Sequence, residues 1–365
     1  MKIKDIVLTV IFIILIGVIS VFAWVKAPAE YSAGERRFLK EKPVLSSETV
    51  LNGEYMKDFE EYTVDQFPFR DDLRGVKALF STYVLNKMDN NGLFAVDGHI
   101  SKLEYPVNPD MMDNAAEKFD FLYEKFIKGK TDNVYLSVVP DKNIFFGEKG
   151  YLTIDYEKFI GDFREKVPYM KYIDIVPFLS SDDFYRTDSH WKQEEIRDIA
   201  LYIAKEMGSD ADAEYAVNTL DVPFRGVYLG QSALPFKADT IKYLTNDILS
   251  SLKVYYYDTG MKEEGEIYNM EKARGKDPYE MFLSGTTPLV EIENPNASSG
   301  KQLVVFRDSY GSSLVPLLVP AYEKISVVDI RYIQSNFVGN FVDFSDADVL
   351  FLYSTTLLNN STALR

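Results

Sequence analysis

The two histidines of the chain, His99 and His190, are its only side chains suited to imidazole acid–base chemistry near neutral pH. His190 lies in Tyr185–Trp191 (YRTDSHW), two residues after Asp188, and an amphipathic helical pattern follows it. Residues two positions apart on a helix do not face each other, so this pair can meet only on the loop before the helix. His99 follows the Asp-Gly turn of a predicted hairpin over 94–100, and we interpret it as a surface or edge-strand residue.

A serine in the segment Leu303–Gly311 (LVVFRDSYG) supplies a nucleophile. The apolar residues predict a buried strand, and the turn after the strand presents Ser309. With His190 as the base and Asp188 as the residue that orients the imidazole, the residue types predict a Ser-His-Asp triad. Ligands bind at the carboxyl ends of parallel strands, where the N–H groups at the start of the next helix would donate to an oxyanion.

Both segments also have a purely structural interpretation. Serine and aspartate are common helix N-caps, so Ser309 would cap a helix over 312–322 and Asp188 would cap one over 192–207. Each segment taken alone favours this interpretation. Only the combination of the two segments favours chemistry.

Composition limits the classes of function. The 365 residues are 46% hydrophobic, which predicts a folded protein with one large core or two smaller ones. The formal net charge of −16 would repel a phosphate backbone, so no nucleic-acid partner is predicted. Cysteine is absent, which excludes thiolate chemistry and Cys-ligated metals. A serine triad needs no cofactor, and two histidines disfavour a zinc site, while a carboxylate cation site stays open.

The N-terminus is predicted to lie in a membrane. The segment Ile6–Trp24 is uncharged and close to the ~20 residues that cross ~30 Å of hydrocarbon. Lys2 and Lys4 precede it, so the positive-inside rule places the following residues outside the cytoplasm. A cleaved signal peptide is the alternative, but residues 22–27 (FAWVKA) are a poor cleavage site. We therefore predict a single-pass anchor over 1–25 in the cell membrane and an extracytoplasmic catalytic domain.

The remaining chain alternates strand and helix patterns after a polar linker over 26–50. Short apolar runs predict strands over 133–140, 301–306, 324–330 and 348–353, with a weaker one over 172–176, and helical spacing covers 115–128 and 192–207. Such alternation predicts an α/β domain over 51–365, with a doubly wound, mainly parallel sheet. Residues from about 208 to 300 are less regular and are predicted to be an insertion of loops and short strands.

The segment Thr187–Trp191 (TDSHW) resembles the signature of the DHHW proteins, relatives of the alginate O-acetylation proteins with an SGNH-hydrolase-like domain. The usual signature has two consecutive histidines, and Ser189 replaces the first of them here. Further matches, which together cover roughly residues 50 to 355, are Asp65–Asp71, Val139–Lys142, Tyr279–Gly285, Arg307–Tyr310 and Val328–Tyr332.

The resemblance implies an SGNH-like fold with Ser309, His190 and Asp188 as the triad. It also implies transfer or removal of acyl groups, typically acetyl, on an exported polysaccharide. A multispanning membrane acyltransferase often brings the acyl group across in such systems. Four residues are further candidates for oxyanion or substrate contacts: Gly226, Tyr310, Arg331 and Tyr332.

The sequence therefore predicts a membrane-anchored, extracytoplasmic O-acyltransferase acting on a cell-surface or exported polysaccharide. Two alternatives remain open. One is a carbohydrate esterase or deacetylase with the same triad, and the other is a non-catalytic glycan-binding assembly protein.

Overall fold

The computed structural model describes residues 3–32, 34–258, 260–297 and 299–365. Lys2, one of the two lysines before the apolar segment, lies outside the described residues, as do Thr259 and Ser298 of the predicted insertion. The chain forms two compact units. The first contains the residues up to Asn91 together with Leu229–Phe236, and the second contains Gly92–Tyr228 and Lys237–Arg365.

The first unit is mainly helical. Its elements are α1 (Ile3–Val25), β1 (Tyr31–Ser32), β2 (Arg37–Phe38), α2 (Ser47–Leu51), α3 (Glu54–Asp65), α4 (Arg70–Leu79) and a π-helical turn over Phe80–Val84. The 23 residues of α1 span about 34 Å at 1.5 Å per residue, enough to cross a bilayer. An anchor and a signal sequence both fit this description.

The second unit is a mixed α/β fold. Its elements, apart from short 3₁₀ and π-helical turns, are β3 (Leu93–Val96), β4 (His99–Lys102), α5 (Pro109–Leu122), β5 (Val134–Val139), α6 (Tyr156–Lys166), β6 (Lys171–Tyr172), α7 (Arg197–Glu206), β7 (Ala216–Phe224), α8 (Val227–Ser232, which runs into the first unit), β8 (Asp239–Thr245), α9 (Asp247–Ser250), β9 (Lys253–Tyr256), β10 (Glu263–Gly265), β11 (Leu289–Glu293), β12 (Gln302–Arg307), α10 (Gly311–Leu318), β13 (Lys324–Val328), β14 (Asp348–Ser354) and α11 (Thr355–Leu358).

An eight-stranded sheet organises this unit, in the order β10-β9-β11-β13-β12-β14-β5-β6. The strands from β13 to β6 are parallel, and β11, β9 and β10 extend the sheet with antiparallel pairs. The mainly parallel α/β sheet predicted from the strand and helix alternation is therefore confirmed. The predicted insertion over 208–300 supplies the three antiparallel strands and the separate β7–β8 hairpin.

Side-chain alternation along the central strands explains why both faces of the sheet are covered. On β12, Leu303 and Val305 join the core that contains α7 and α10, whereas Val304 and Phe306 join the core that contains α5 and α6. Successive residues of a strand point to opposite faces, so a continuous apolar run needs helices on both sides.

Strand β12 lies at the point where the strand order reverses. From β12 the chain first forms β13 on one side and later β14 on the other side. Loops diverge at such a point and leave a crevice at the carboxyl ends of the strands. The segment Asp308–Tyr310, between β12 and α10, lies at this edge.

Candidate active site

Three side chains that the sequence selects meet at the carboxyl end of β12. The Nε2 atom of His190 lies 2.7 Å from Ser309 Oγ, and Nδ1 lies 2.6 Å from Asp188 Oδ1. A carboxylate can only accept, so the Nδ1–H donates to Asp188 and Nε2 accepts from the Ser309 hydroxyl. Asp188 is buried, whereas Ser309 and His190 are half-buried and the imidazole keeps 15% of its exposure.

The loop that carries Asp188 and His190 is not part of a helix. A bridge between Phe184 and Trp191 closes it, and the backbone N–H of Tyr185 donates to the carbonyl oxygen of His190 at 3.0 Å. The first regular helix after it, α7, begins at Arg197. This closed loop allows residues two positions apart to contact each other, which a helix would not.

The ammonium group of Lys142 stabilises this loop through hydrogen bonds to its carbonyl oxygens. The Nζ atom donates to the carbonyl oxygens of Tyr185 at 2.8 Å and Asp188 at 2.7 Å. Lys142 is fully buried, and burial lowers its pKa to about 8. Lys142 lies three residues after the end of β5, so its side chain links this edge of the sheet to the backbone of the loop that carries Asp188 and His190.

The carboxylate of Asp239 stabilises the same loop by binding Thr187. This carboxylate accepts from the backbone N–H of Thr187 at 2.8 Å and from the Thr187 hydroxyl at 2.5 Å. The backbone N–H of Val227 donates to Asp188 Oδ2 at 2.7 Å. Both carboxylate oxygens of Asp188 therefore have donors, which keeps one of them fixed on the imidazole.

Aromatic side chains pack against the imidazole of His190. The ring of Tyr279 stacks on His190, with centroids 4.0 Å apart and planes 15° from parallel. The Tyr279 hydroxyl contacts Ser313 Oγ at 2.9 Å, and Trp191 Nε1 donates to the same oxygen at 2.9 Å. Burial raises the pKa of Tyr279 well above its usual value, so the hydroxyl stays protonated. This contact limits rotation of the imidazole away from Ser309.

Most N–H groups after Ser309 already have acceptors. Tyr310 donates to Asp308 Oδ1 at 3.0 Å, Gly311 donates to the Asp308 carbonyl oxygen, and Ser312 donates to the Ser309 carbonyl oxygen. These groups are not available to an oxyanion, contrary to the expectation from the sequence. Among the described residues, the N–H of Ser309 itself has no acceptor.

The four further candidates have different positions. The N–H of Gly226 donates to the Thr187 hydroxyl at 3.1 Å, so it is not a free oxyanion donor, which corrects the expectation. The Tyr310 hydroxyl donates to the carbonyl oxygen of Ser189 at 2.8 Å and braces the same loop. Both residues therefore stabilise the loop that carries Asp188 and His190.

Arg331 and Tyr332 follow β13 rather than β12. The guanidinium of Arg331 makes a bidentate pair with Asp329, which lies 3.5 Å from the buried guanidinium of Arg307 at the end of β12. Tyr332 is 41% exposed and lines a cavity of about 300 Å³ with Phe341 and other residues. Within the described residues, no hydrogen bond or ion pair connects Arg331 or Tyr332 to the triad.

His99, the other histidine, begins β4 as predicted but is buried, with 3% exposure, so its predicted surface position is wrong. Burial, with the nearby charge of Lys142, lowers its pKa to about 4. The next residue, Ile100, donates its N–H to the carbonyl oxygen of Arg186 at 2.7 Å. The hairpin therefore braces the loop that carries His190, and His99 is neutral near pH 7.

Sequence reasoning gave no role to Lys142, Asp239 or Tyr279. Lys142 and Tyr279 lie within segments that carry the family resemblance. A lysine three residues after a mainly apolar strand is itself a signal, because a buried charge needs partners. Asp239 has no comparable signal. Groups of three or more metal-binding side chains are not found in the described parts of the chain.

The packing of Gly226 gives a stability prediction. A Cβ atom at this position would lie 2.2 Å from the Thr187 carbonyl oxygen, so Gly226→Ala must displace the loop that carries Asp188. We expect a loss of about 1–3 kcal/mol in the free energy of unfolding, or more, measured by urea denaturation. Gly161→Ala is the control, because a Cβ there meets nothing within 4 Å. Equal stability of the two variants would contradict the assigned packing.

Two buried carboxyl groups, Glu104 and Asp141, predict a pH effect. Burial, together with the charge of Asp141, raises the pKa of Glu104 from 4.5 to about 7, and burial also raises the pKa of Asp141. Between pH 4.5 and about 7 the folded protein keeps a proton on Glu104 that the unfolded chain has lost. The contribution of Glu104 to the free energy of unfolding therefore falls as the pH rises. We expect Glu104→Gln to flatten the decline in the free energy of unfolding across pH 4.5–7. An unchanged slope, matching that of the exposed-residue control Glu117→Gln, would refute the assignment.

The sequence and the fold of this chain are both similar to those of known proteins. The family model described as DHHW protein matches residues 177–328. A comparison with curated protein sequences finds no match. A DHHW family protein from Eubacterium siraeum has a similar structure, with a TM-score of 0.58 and 21% identity, covering 75% of this chain and 94% of that chain.

Two structures of Bacillus cereus PatB1 are also similar to this chain. The one with a sulfonyl adduct has a TM-score of 0.57 and 19% identity, covering 73% of this chain and 95% of that chain. The other has the same TM-score and 18% identity, covering 73% of this chain and 96% of that chain. These likenesses show a shared fold. Together with the matched segment, which contains the Asp188, His190 and Ser309 positions, they confirm the resemblance of this chain to the DHHW proteins and its SGNH-hydrolase-like fold.

Proposed function

We propose that the protein is an O-acyltransferase that uses Ser309 as its nucleophile, His190 as its general base and Asp188 as the residue that orients the imidazole. The observation that carries the proposal is the contact of His190 Nε2 with Ser309 Oγ at 2.7 Å, while Nδ1 is held by Asp188 at 2.6 Å. This is the arrangement of a base that activates a hydroxyl and is itself oriented by a third group.

The reaction would proceed in two steps. Ser309 Oγ attacks the acyl carbon as its proton passes to His190 Nε2, and the protonated imidazole then gives that proton to the leaving oxygen. A hydroxyl of the acceptor next loses its proton to His190, attacks the acyl-serine and releases Ser309. The Ser309 N–H is the proposed oxyanion donor because it has no acceptor among the described residues.

We propose a sugar hydroxyl of a cell-surface or exported polysaccharide as the acceptor and an acetyl group as the acyl group. Support comes from the resemblance to the DHHW proteins. The helix α1, which is long enough to span a bilayer, would retain the protein at the cell membrane with the second unit outside the cytoplasm. A multispanning membrane acyltransferase is the proposed source of the acyl group.

A second candidate, hydrolysis, follows from the same geometry. The His190 side chain retains 15% exposure, so the site is open to water at the imidazole. Transfer and hydrolysis therefore differ only in which hydroxyl collects the acyl group.

The experiment that separates them uses the full chain in detergent with a soluble aryl acetate, with and without a neutral oligosaccharide. Our proposal predicts acetylated oligosaccharide by mass spectrometry, and acetate release that falls as the oligosaccharide concentration rises. Acetate release with no acetylated sugar would favour the esterase. No turnover of the ester under either condition, with Ser309→Ala matching the wild type, would favour the non-catalytic assembly protein.

A further inference from the structure

Helix α4 presents its apolar residues to solvent instead of the interior of the first unit. Counting the π-helical turn that continues it, exposed apolar side chains recur at helical spacing. We call this set the apolar stripe: Phe69 (64% exposed), Leu73 (48%), Val76 (62%), Phe80 (51%) and Val84 (61%). At about 100° per residue, Leu73, Val76 and Phe80 fall within about 60° of one another, so they form one continuous face. Phe69 is the residue directly before α4, and Val84 ends the π-helical turn.

The opposite side of the same helix is the one that packs. Ala78 is fully buried and Ser81 is 6% exposed. The Arg74 guanidinium donates to the Gly230 carbonyl oxygen at 2.9 Å, and a Cβ on Gly75 would lie 3.7 Å from the Ala233 carbonyl oxygen. A helix of a water-soluble protein buries its apolar face, so this helix has the reverse arrangement.

Ion pairs fix that orientation. Arg70 Nη1 lies 2.5 Å from Glu35 Oε2, and Arg74 Nη2 lies 3.4 Å from Glu35 Oε1. All three side chains are less than one-fifth exposed. Rotation of α4 to bury the apolar stripe would break these pairs and leave partly buried charges without partners. The stripe is therefore held outward by the rest of the first unit.

The stripe continues from the apolar N-terminal helix. The ring of Phe69 stacks on that of Phe22, with centroids 5.7 Å apart and planes 12° from parallel. Phe22 lies three residues before the end of α1, which is about 4.5 Å along the helix axis. If α1 crosses a bilayer, this end lies at the hydrocarbon boundary, and Phe69 lies at the same depth.

We propose that residues 69–84 form an interfacial amphipathic helix that lies on the lipid bilayer, with the apolar stripe in the boundary between headgroups and acyl chains. An outward apolar face, a polar side held by ion pairs and continuity with a membrane-length helix together identify lipid as the occupant. The inference rests on membrane insertion of α1 and not on the chemistry of Ser309. It adds a second membrane contact to the single-pass anchor.

The test uses the full chain in phosphatidylcholine nanodiscs. The chain has no cysteine, so one introduced cysteine carries a unique environment-sensitive fluorophore. Labels at Val76→Cys and Phe80→Cys report the stripe. Asp71→Cys is the control outside the apolar stripe, where the native side chain is 61% exposed, and Ile13→Cys reports insertion of α1.

We expect doxyl-labelled lipid to quench the fluorophore at positions 76 and 80, and aqueous iodide to quench the one at position 71. Iodide quenching at 76 and 80 equal to that at 71, with position 13 in lipid, would overturn the proposal. Protection of 76 and 80 from both quenchers would also overturn it, since a protein surface would then cover the stripe. If position 13 itself is quenched by iodide, α1 does not insert and the premise fails, which leaves the proposed chemistry untouched.

Discussion

Replacement of Ser309 by alanine is expected to lower kcat for an aryl acetate by at least about 10⁴-fold, since the proposed acyl-enzyme cannot form without the hydroxyl. The Ser309 hydroxyl contributes one hydrogen bond, to His190, and the residue is half-buried. The free energy of unfolding should therefore change by no more than about 1 kcal/mol. Steady-state kinetics and urea denaturation of the same preparation measure the two quantities.

Ser345→Ala is the matched control, because Ser345 is exposed and its hydroxyl bonds only with the neighbouring Asp343. It should keep wild-type turnover. Retention of turnover by Ser309→Ala, with normal folding, would contradict the assigned nucleophile. An unfolded Ser309→Ala would contradict the inference that this hydroxyl serves chemistry more than packing.

Asp188→Asn is expected to lower kcat by about 10⁴-fold through the tautomer of His190. The native carboxylate accepts from His190 Nδ1 and the His190 backbone N–H on one oxygen, and from the Val227 N–H on the other. An asparagine must turn its NH₂ group toward one of these donors. If it faces His190, the imidazole is forced to carry its proton on Nε2 and cannot accept the proton of Ser309.

If the NH₂ group faces Val227 instead, two donors meet in a buried site. This arrangement should cost about 1–3 kcal/mol in the free energy of unfolding. The variant therefore loses turnover, stability or both. Asp198→Asn, an exposed carboxylate in the first turn of α7, is the control and should lose neither. Equal kinetics for the two variants would show that Asp188 does not orient the imidazole.

The fold could be predicted from the sequence wherever local patterns determine it. The strand predicted over 133–140 is β5, and that predicted over 348–353 is β14. Both runs are mainly apolar and buried along their whole length, as expected for strands between two helical layers. The weak strand predicted over 172–176 shrinks to Lys171–Tyr172, at the edge of the sheet. Edge strands are short and depend on tertiary contacts that a local pattern does not contain.

The candidate site could be predicted from the sequence for a different reason. The chain has only two histidines, so few residues could serve as the base. The strand–turn pattern around Ser309 indicated the nucleophile. The partners of these residues were not accessible. Asp239 holds Thr187 from a distant hairpin, and Lys142 reaches three carbonyl oxygens of the loop from the end of β5. Such long-range polar contacts follow no sequence period.

The oxyanion donors were predicted from the position of a helix start, and the structure corrects them. Asp308 accepts from the Tyr310 N–H on one carboxylate oxygen and from the Ser354 N–H on the other. It thereby ties the turn to the end of β14 and removes the Tyr310 N–H from use. A carboxylate directly before the candidate serine was visible in the sequence, but its backbone partners depend on the sheet.

Covalent labelling with an aromatic sulfonyl fluoride tests the central claim most directly. Attack by Ser309 Oγ would form an oxygen–sulfur bond as the sulfur–fluorine bond breaks, with the proton leaving through His190 and fluoride as the leaving group. Peptide mapping of the full chain is predicted to find the sulfonyl group on Ser309, to find none in Ser309→Ala, and to find much slower labelling in Asp188→Asn. Labelling that spares Ser309, or proceeds equally fast in wild type and Asp188→Asn, would contradict an activated serine at this site.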